Sequence, residues 1–471
     1  MIALSLAEIA EVVGGQTHDI PDPSVQVTGP VVRDSREVQP GSLFVAFVGE
    51  RVDGHDFAEA VVEAGAAALL ASRPVGVPAI VVDDVQSALG ALARHVVRRL
   101  GATLVALTGS AGKTSTKDLI AQVLSRKAPT VFTPGSFNNE IGLPLTALSA
   151  TDETRFLVLE MGARGIGHIR YLTDLTPPRI GLVLNVGTAH IGEFGGREQI
   201  AQAKGELVEA LPPAEDGGAA ILNADDPLVR AMASRTKAKV ILFGESGEAD
   251  VRAENVRLTD SGQPAFSLHT PSGCSEVTMR LYGEHHVSNA LAAAAVAHEL
   301  GMSADEIATA LSEAGSLSRW RMEVTERPDG VTIVNDAYNA NPESMRAALR
   351  ALAAMGKGRR TWAVLGKMAE LGDEALAEHD AVGRLAVRLN VGKLVAVGGR
   401  EASWLQLGAY NEGSWGEESV HVSDAQAAVD LLRSELRPGD VVLVKASRSV
   451  GLESVAQALI ETGAEGEVAA R

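Results

Sequence analysis

The segment TLVALTGSAGKTSTKDLI passes from an apolar, β-branched run into a helical pattern through Gly109, Gly112, Lys113 and Thr114. Glycines at such a junction let backbone N–H groups point at phosphate oxygens. The helix N-terminus adds partial positive charge, the lysine a point cation and the threonine a hydroxyl for Mg²⁺. The loop is shorter than the general phosphate-loop pattern, whose first glycine would fall at Leu107. Glu160 ends a second apolar run, FLVLE, and glycines at 162, 165 and 167 leave open backbone beside its carboxylate. An acid at that edge of a parallel strand is where a Mg²⁺ ligand for ATP is needed. His190 follows a third run, GLVLNVG, so the ends of three strands are expected to bring Lys113, Glu160 and His190 together.

In REQIAQAKGELVEAL the apolar stripe runs through Ile200, Ala203, Leu207, Val208 and Leu211, and Lys204 falls on the same face, four residues after Ile200. Its ammonium either snorkels past the core edge or is steered to a site. In IVNDAYNANPESMRAAL, Asn341 is a helix N-cap, Pro342 the first helical residue and Glu343 part of the first turn. That leaves Asp336, Tyr338 and Asn339 unexplained, at the strand end where open α/β sheets bind ligands. Lys445 and Arg448 follow the last apolar run, as solvated charge or as part of a site.

The elements that must position these residues alternate as β and α. SLFVAFVG and PAIVVDD read as strands, and DFAEAVVEAGAAALLA between them as a helix. From TLVALTG onward each short buried strand is followed by glycines and a helix, a pattern of βα units around mostly parallel sheets. Around VRLTDSGQPAFSLHTPSG the pattern switches to polar and apolar alternation with turn residues, which predicts an antiparallel excursion over about 250–282. EAGSLS, at 313–318, reads as a linker, and TIVND, TWAVLG, KLVAVG and DVVLVKA are strands beyond it. The expected fold class is therefore α/β in three domains. A small α/β domain spans 1–97. A central P-loop ATPase-like domain, with a mostly parallel sheet and the antiparallel excursion, spans 98–315, and a Rossmann-like domain spans 316–471.

Length and composition agree with this. The 471 residues suffice for about three domains of ordinary size. With 42 Lys and Arg against 60 Asp and Glu, the net charge of −18 repels nucleic-acid phosphates, so no nucleic-acid partner is expected. The lone Cys274 permits neither an internal disulfide nor a cysteine-rich zinc site, which suggests a reducing, cytoplasmic setting. No apolar run reaches the ~18 residues of a membrane span, and no membrane insertion is expected.

TGSAGKTS, EMGA, NVGTAHIGEFG, AKGE, LNADDP and VLVKASR together resemble the motifs of the Mur ligase family, the ATP-dependent amide-bond ligases of peptidoglycan precursor synthesis, and the resemblance covers nearly the whole chain. It implies that ATP phosphates bind at Thr108, Gly109, Ser110, Ala111, Gly112, Lys113 and Thr114. It implies one Mg²⁺ at Thr114 and Glu160, and a second at His190 and a carbamylated Lys204, with Lys113, Glu160, His190 and Lys204 as the catalytic set. Adenine or ribose contacts are implied at Asn289 and Asp336, a phosphate contact at Arg321 and a uridine contact near Ser35. NDAYNANPESM, TPGSFNNEIGLP and DSREVQPGSLFVAFVGERVDGHDF narrow the implied substrates to D-alanyl-D-alanine and a UDP-N-acetylmuramoyl tripeptide. Asn138, Asn139, Tyr338, Asn339 and Lys445 are then substrate contacts, in a monomer whose first domain holds the UDP substrate. The chain departs from the family pattern at Ser136, His286, Lys367 and Ala446, none of which removes an implied ligand. Two other readings stand beside this one: a related ligase adding a different amino acid, as folylpolyglutamate synthetases add glutamate, and a P-loop switch NTPase that makes no amide.

Overall fold

The structure, a computed structural model, describes residues 1–188 and 191–469. Three larger sheets organise it, beside a two-stranded pairing of Leu4–Ser5 with Gln26–Val27. The first has the order Gln16–His18, Ala79–Val81, Ala68–Ala71, Leu43–Val45, Val31–Val32, all parallel except the Gln16–His18 edge. The single helix expected over DFAEAVVEAGAAALLA is two elements, the helix Ala58–Glu63 and the strand Ala68–Ala71. Gly65, at φ +105°, turns the chain through a conformation that other residues seldom adopt. Leu69 and Leu70 are then fully buried between two parallel neighbours. A strand covered on both faces reads as a continuous apolar run, which periodicity alone does not separate from a helix.

The second sheet has nine strands, and seven of them run parallel, in the spatial order Thr130–Phe132, Phe156–Glu160, Thr103–Thr108, Ile180–Val183, Ala219–Asn223, Lys239–Gly244, Val251–Leu258. The antiparallel excursion is present as Val251–Leu258, Pro264–Thr270 and Gly273–Thr278, and it extends this sheet. Apolar side chains from Ile2 to Ala238 form one core between the first two sheets and the helices Val85–Arg99, Gly142–Leu148 and Arg197–Glu209. On the other face Lys113–Ser125, His286–Glu299 and Ala304–Glu313 bury a second core.

Residues 314–322 contain no helix or strand and lead to a six-stranded sheet. Its order is Glu323–Glu326, Thr332–Asn335, Val441–Lys445, Thr361–Leu365, Lys393–Val397, Ser419–Val422, parallel except at the Glu323–Glu326 edge. The loop after Thr108, Glu160, the group 336–339 and Lys445 therefore sit at C-terminal strand ends of the two larger sheets, the edge from which parallel sheets present ligand-binding loops. Among the described residues no helix is long and apolar enough to cross a membrane.

Candidate active site

The strand Thr103–Thr108 delivers the loop 109–112 to the helix Lys113–Ser125, whose N-cap, Gly112, offers no side chain to the helix N-terminus. Gly112 stands at φ +79°, and a Cβ there would lie 2.7 Å from Asn289 Oδ1, so both backbone and space demand glycine. The first N–H groups of an uncapped helix are free to meet an anion. Lys113 Nζ folds back to donate to Gly109 O at 2.7 Å, and burial lowers its pKa while the Glu160 carboxylate opposes that shift.

Glu160 is 1% exposed. Its Oε1 accepts Asn138 Nδ2–H at 2.7 Å, and its Oε2 is buried with no partner among the described residues. Thr108 Oγ1, Arg321 Nε and Glu343 Oε2 share that condition. Buried polar atoms are nearly always satisfied, so four orphans around one loop mark a place where a ligand completes the bonding. No cluster of three or more His, Cys, Asp or Glu side chains that could hold a metal occurs among the described residues. A carboxylate with a free oxygen beside a threonine hydroxyl nevertheless suits Mg²⁺, which keeps several waters and takes its remaining ligands from substrate phosphates.

Lys204 is 5% exposed and lines the same cavity, so the helix steers it inward and it does not snorkel to solvent. It makes no hydrogen bond or ion pair among the described residues. Burial, and secondarily the charge of Lys113, push its pKa well below the ordinary lysine value. His190 lies outside the described residues.

The third sheet closes over this edge. Arg321 Nη2 donates to Thr114 Oγ1 at 3.2 Å, and its guanidinium stacks 4.2 Å from the centroid of the Tyr338 ring. Tyr338 in turn bonds Ser136 through their hydroxyls. Asp336 Oδ2 accepts from Lys445 Nζ at 2.6 Å, and Lys445 also donates to Asn339 O at 2.8 Å. Lys445 is thus a buried, paired cation, whereas Arg448 is half-exposed, pairs with Glu453 and lies over Trp320. The cavity is about 750 Å³. Its walls include Ser110 to Thr114, Asn138, Asn139, Glu160, Lys204, Asn289, Arg321, Asp336, Tyr338, Asn339 and Lys445. Thr108, the last strand residue, and Gly109, the first of the loop, do not line the cavity, and Ser35 sits in the short turn Ser35–Glu37 away from the cavity wall, which Arg33 reaches instead. Asn139 also caps its own chain, its Oδ1 accepting Gly142 N–H at 2.8 Å.

Several residues that hold the site escaped the sequence reading. Asn185 Oδ1 accepts the N–H groups of Ser110 and Ala111, both at 2.9 Å, and fixes the loop's shape. Asn341 Nδ2 reaches Ser110 O at 3.4 Å, and Glu343 Oε1 accepts from Thr188 N and Oγ1 at 2.9 Å, so the helix start also bridges two sheets. Lys117, wholly buried, pairs with Asp118 and donates to Thr133 O and Gly135 O, holding the strand end from which Asn138 projects. Its signal was a lysine and an aspartate inside the helical run TSTKDLI. Of the departures, Ser136 meets Tyr338, and His286 lies 3.3 Å from Asn289 through Nδ1 with its pKa well lowered by burial. Lys367 pairs with Glu401, and Ala446 is buried.

Removing the amide that orients Glu160 should cost about one hydrogen bond to a charged group, about 1.5 kcal/mol. Asn138→Ala is therefore expected to slow turnover about tenfold, measured as phosphate release under saturating substrates, and to lower the melting temperature by a few degrees at most.

Comparison with known proteins agrees with this arrangement. The profile of the Mur ligase family catalytic domain matches residues 31–97, that of the Mur ligase middle domain residues 107–297, and that of the Mur ligase glutamate ligase domain residues 320–448. The UDP-N-acetylmuramoyl-tripeptide–D-alanyl-D-alanine ligase of Mycobacterium tuberculosis (strain ATCC 25618 / H37Rv) is 50% identical over 99% of this chain and 100% of its own. A solved MurF from Acinetobacter baumannii superposes with a TM-score of 0.86 at 33% identity, covering 98% of this chain and 99% of that one. The MurF ligase of Thermotoga maritima, solved in complex with ADP, gives 0.79 at 30% identity, over 93% and 99%.

Proposed function

This chain belongs to the Mur ligase family, and from that premise we infer that it is an ATP-dependent amide-bond ligase, joining D-alanyl-D-alanine to a UDP-N-acetylmuramoyl tripeptide. The observation that carries the reading is the single cavity in which an uncapped helix N-terminus, Lys113 and the half-satisfied Glu160 face Arg321, Asp336 and Lys445 of another sheet. A ligase must hold a nucleotide and two further substrates at once, and this cavity supplies walls from all three sheets.

The terminal carboxylate of the tripeptide attacks the γ-phosphate of ATP, giving an acyl phosphate and ADP. The amine of the dipeptide then attacks the acyl carbon and phosphate leaves. Lys113 and Arg321 neutralise charge on the transferring oxygens, the role for which preorganised cations in a water-poor site are most effective. Asn289 flanks the loop, and Asp336, held by Lys445 and by Met322 N–H at 3.1 Å, would face the nucleotide. Glu160 and Thr114 would hold Mg²⁺, which supplies charge neutralisation on the phosphates. The Asn341–Ser110 and Glu343–Thr188 contacts keep the third sheet against the loop, which excludes water from a hydrolysable acyl phosphate. Asn138, Asn139, Tyr338 and Asn339 are the proposed substrate contacts, and Ser35 is the uridine contact of the first domain.

Lys204, buried and with its pKa pushed well down by that burial, is suited to carbamylation: its amine would add to carbon dioxide and release a proton, and the resulting carbamate would offer oxygen to a second Mg²⁺ that His190 would share. The three sheets and the three matched stretches support a division at 97/98 and 315/316, although the helix Val85–Arg99 continues past the first boundary. A monomer, as the family resemblance implies, is part of this reading, and the lone Cys274 supports a cytoplasmic setting.

The test is ATP-dependent coupling of a panel of UDP-muramoyl peptides with dipeptides and single amino acids, read by product mass. The reading requires a D-alanyl-D-alanine adduct and phosphate release that depends on both acceptor and donor. Release of phosphate from ATP alone at the full rate would favour a switch NTPase.

A further inference from the structure

A second cavity, about 450 Å³, lies apart from the catalytic one, between the helices Leu6–Val13, Val85–Arg99 and His168–Leu175. Arg94, His95 and Arg98 enter it from two successive turns of Val85–Arg99, the two arginines stacked at a spacing of four. Opposite them, Val12, Leu175 and the ring of Tyr171 form an apolar wall. No carboxylate lines the cavity, and neither arginine forms an ion pair among the described residues, although the chain carries a net charge of −18. Glu8, the acid that feels the charge of His95, is already engaged by Ser5 in a capping box and by Arg99 at 3.7 Å. Arg94 Nε is closed off from solvent and has no acceptor among the described residues. An N–H in that state is costly until something supplies an oxygen to it.

We propose that this cavity is a binding site for a phosphomonoester carried on a small aromatic or apolar body. Two guanidinium forks match phosphate oxygens in geometry, and their two positive charges match the charge of −1.5 to −2 that a phosphomonoester bears near neutrality. The apolar wall is the place for the ester's body, against the Tyr171 ring. A volume of this size is in the range of small-molecule sites.

Phenyl phosphate is the probe, titrated calorimetrically into the full chain in phosphate-free buffer, with inorganic phosphate and phenol as separate titrants. Wild type should bind phenyl phosphate about tenfold more tightly than either fragment. The double variant Arg94→Ala, Arg98→Ala should lose at least about tenfold in affinity, one charge-assisted bond or more. Its ligation rate should be unchanged, since neither arginine touches the catalytic cavity. Ala91→Trp, which keeps both arginines and fills the space, should abolish binding. Lys113→Ala should bind phenyl phosphate as wild type does. The proposal is overturned if wild type gives no binding heat at millimolar probe, if the arginine or Ala91→Trp variant binds undiminished, or if Lys113→Ala is the variant that loses binding. If the double variant melts early, Ala91→Trp and Lys113→Ala alone decide between these outcomes.

Discussion

Lys113→Ala is expected to lower the ligation rate by about 10²–10³-fold while leaving the melting temperature within a few degrees of wild type. The ammonium acts on transferring phosphate oxygens from a buried position, where a preorganised charge is worth about 3–4 kcal/mol of transition-state stabilisation. Its one hydrogen bond, to Gly109 O, is local to the loop, so its loss leaves the cores untouched. The loss should appear in kcat more than in KM, because charge on the transferred group grows as the bond to ADP breaks. Rapid quench of a single turnover, with purified variant and both substrates, measures it. A single-turnover rate equal to wild type would remove Lys113 from the chemistry and with it the phosphate-loop assignment.

Lys204→Ala should be equally damaging and, unlike the first variant, partly repairable. A free ammonium in this cavity would stand against the charge of Lys113 and repel a divalent ion, whereas a carbamate reverses the sign and offers two oxygens. Because burial pulls the lysine pKa well down, the neutral amine that reacts with carbon dioxide is more favoured here than on an exposed lysine. Alanine leaves space for a small carboxylate, so formate or acetate at high concentration should restore part of the rate, and Lys204→Arg should not be rescued. Wild-type protein equilibrated with ¹³C-bicarbonate should show a carbamate carbon by NMR that Lys204→Ala lacks. Full activity of Lys204→Arg, or the absence of that signal at active-enzyme pH, would return Lys204 to the role of an inert buried lysine.

The phosphate loop, Glu160 and the polar group 336–339 were legible because each is a local pattern: an apolar run, a glycine or acid at its end, and a helix start. The antiparallel strands from Val251 to Thr278 were legible for the same reason, since polar and apolar alternation is set by the two faces of a half-exposed strand. The helix expected through residue 71 failed where that logic stops, because Ala68–Ala71 is covered on both faces and carries no alternation to read.

What the sequence by itself determined was where apolar runs end in glycine, acid or lysine, and so which candidate side chains lie at strand ends. It left open whether Lys204 faces solvent or the site, and whether Lys445 is a surface charge. Tertiary structure decided both, through partners far apart in the chain: Arg321 on Thr114, Tyr338 on Ser136 and Lys445 on Asp336. The same holds for Asn185, which shapes a loop more than seventy residues before it. Residue periodicity records how much of an element is buried, but not against what. The partner is set by the order in which parallel strands assemble and by how one sheet closes on another, and both depend on packing that no single segment contains.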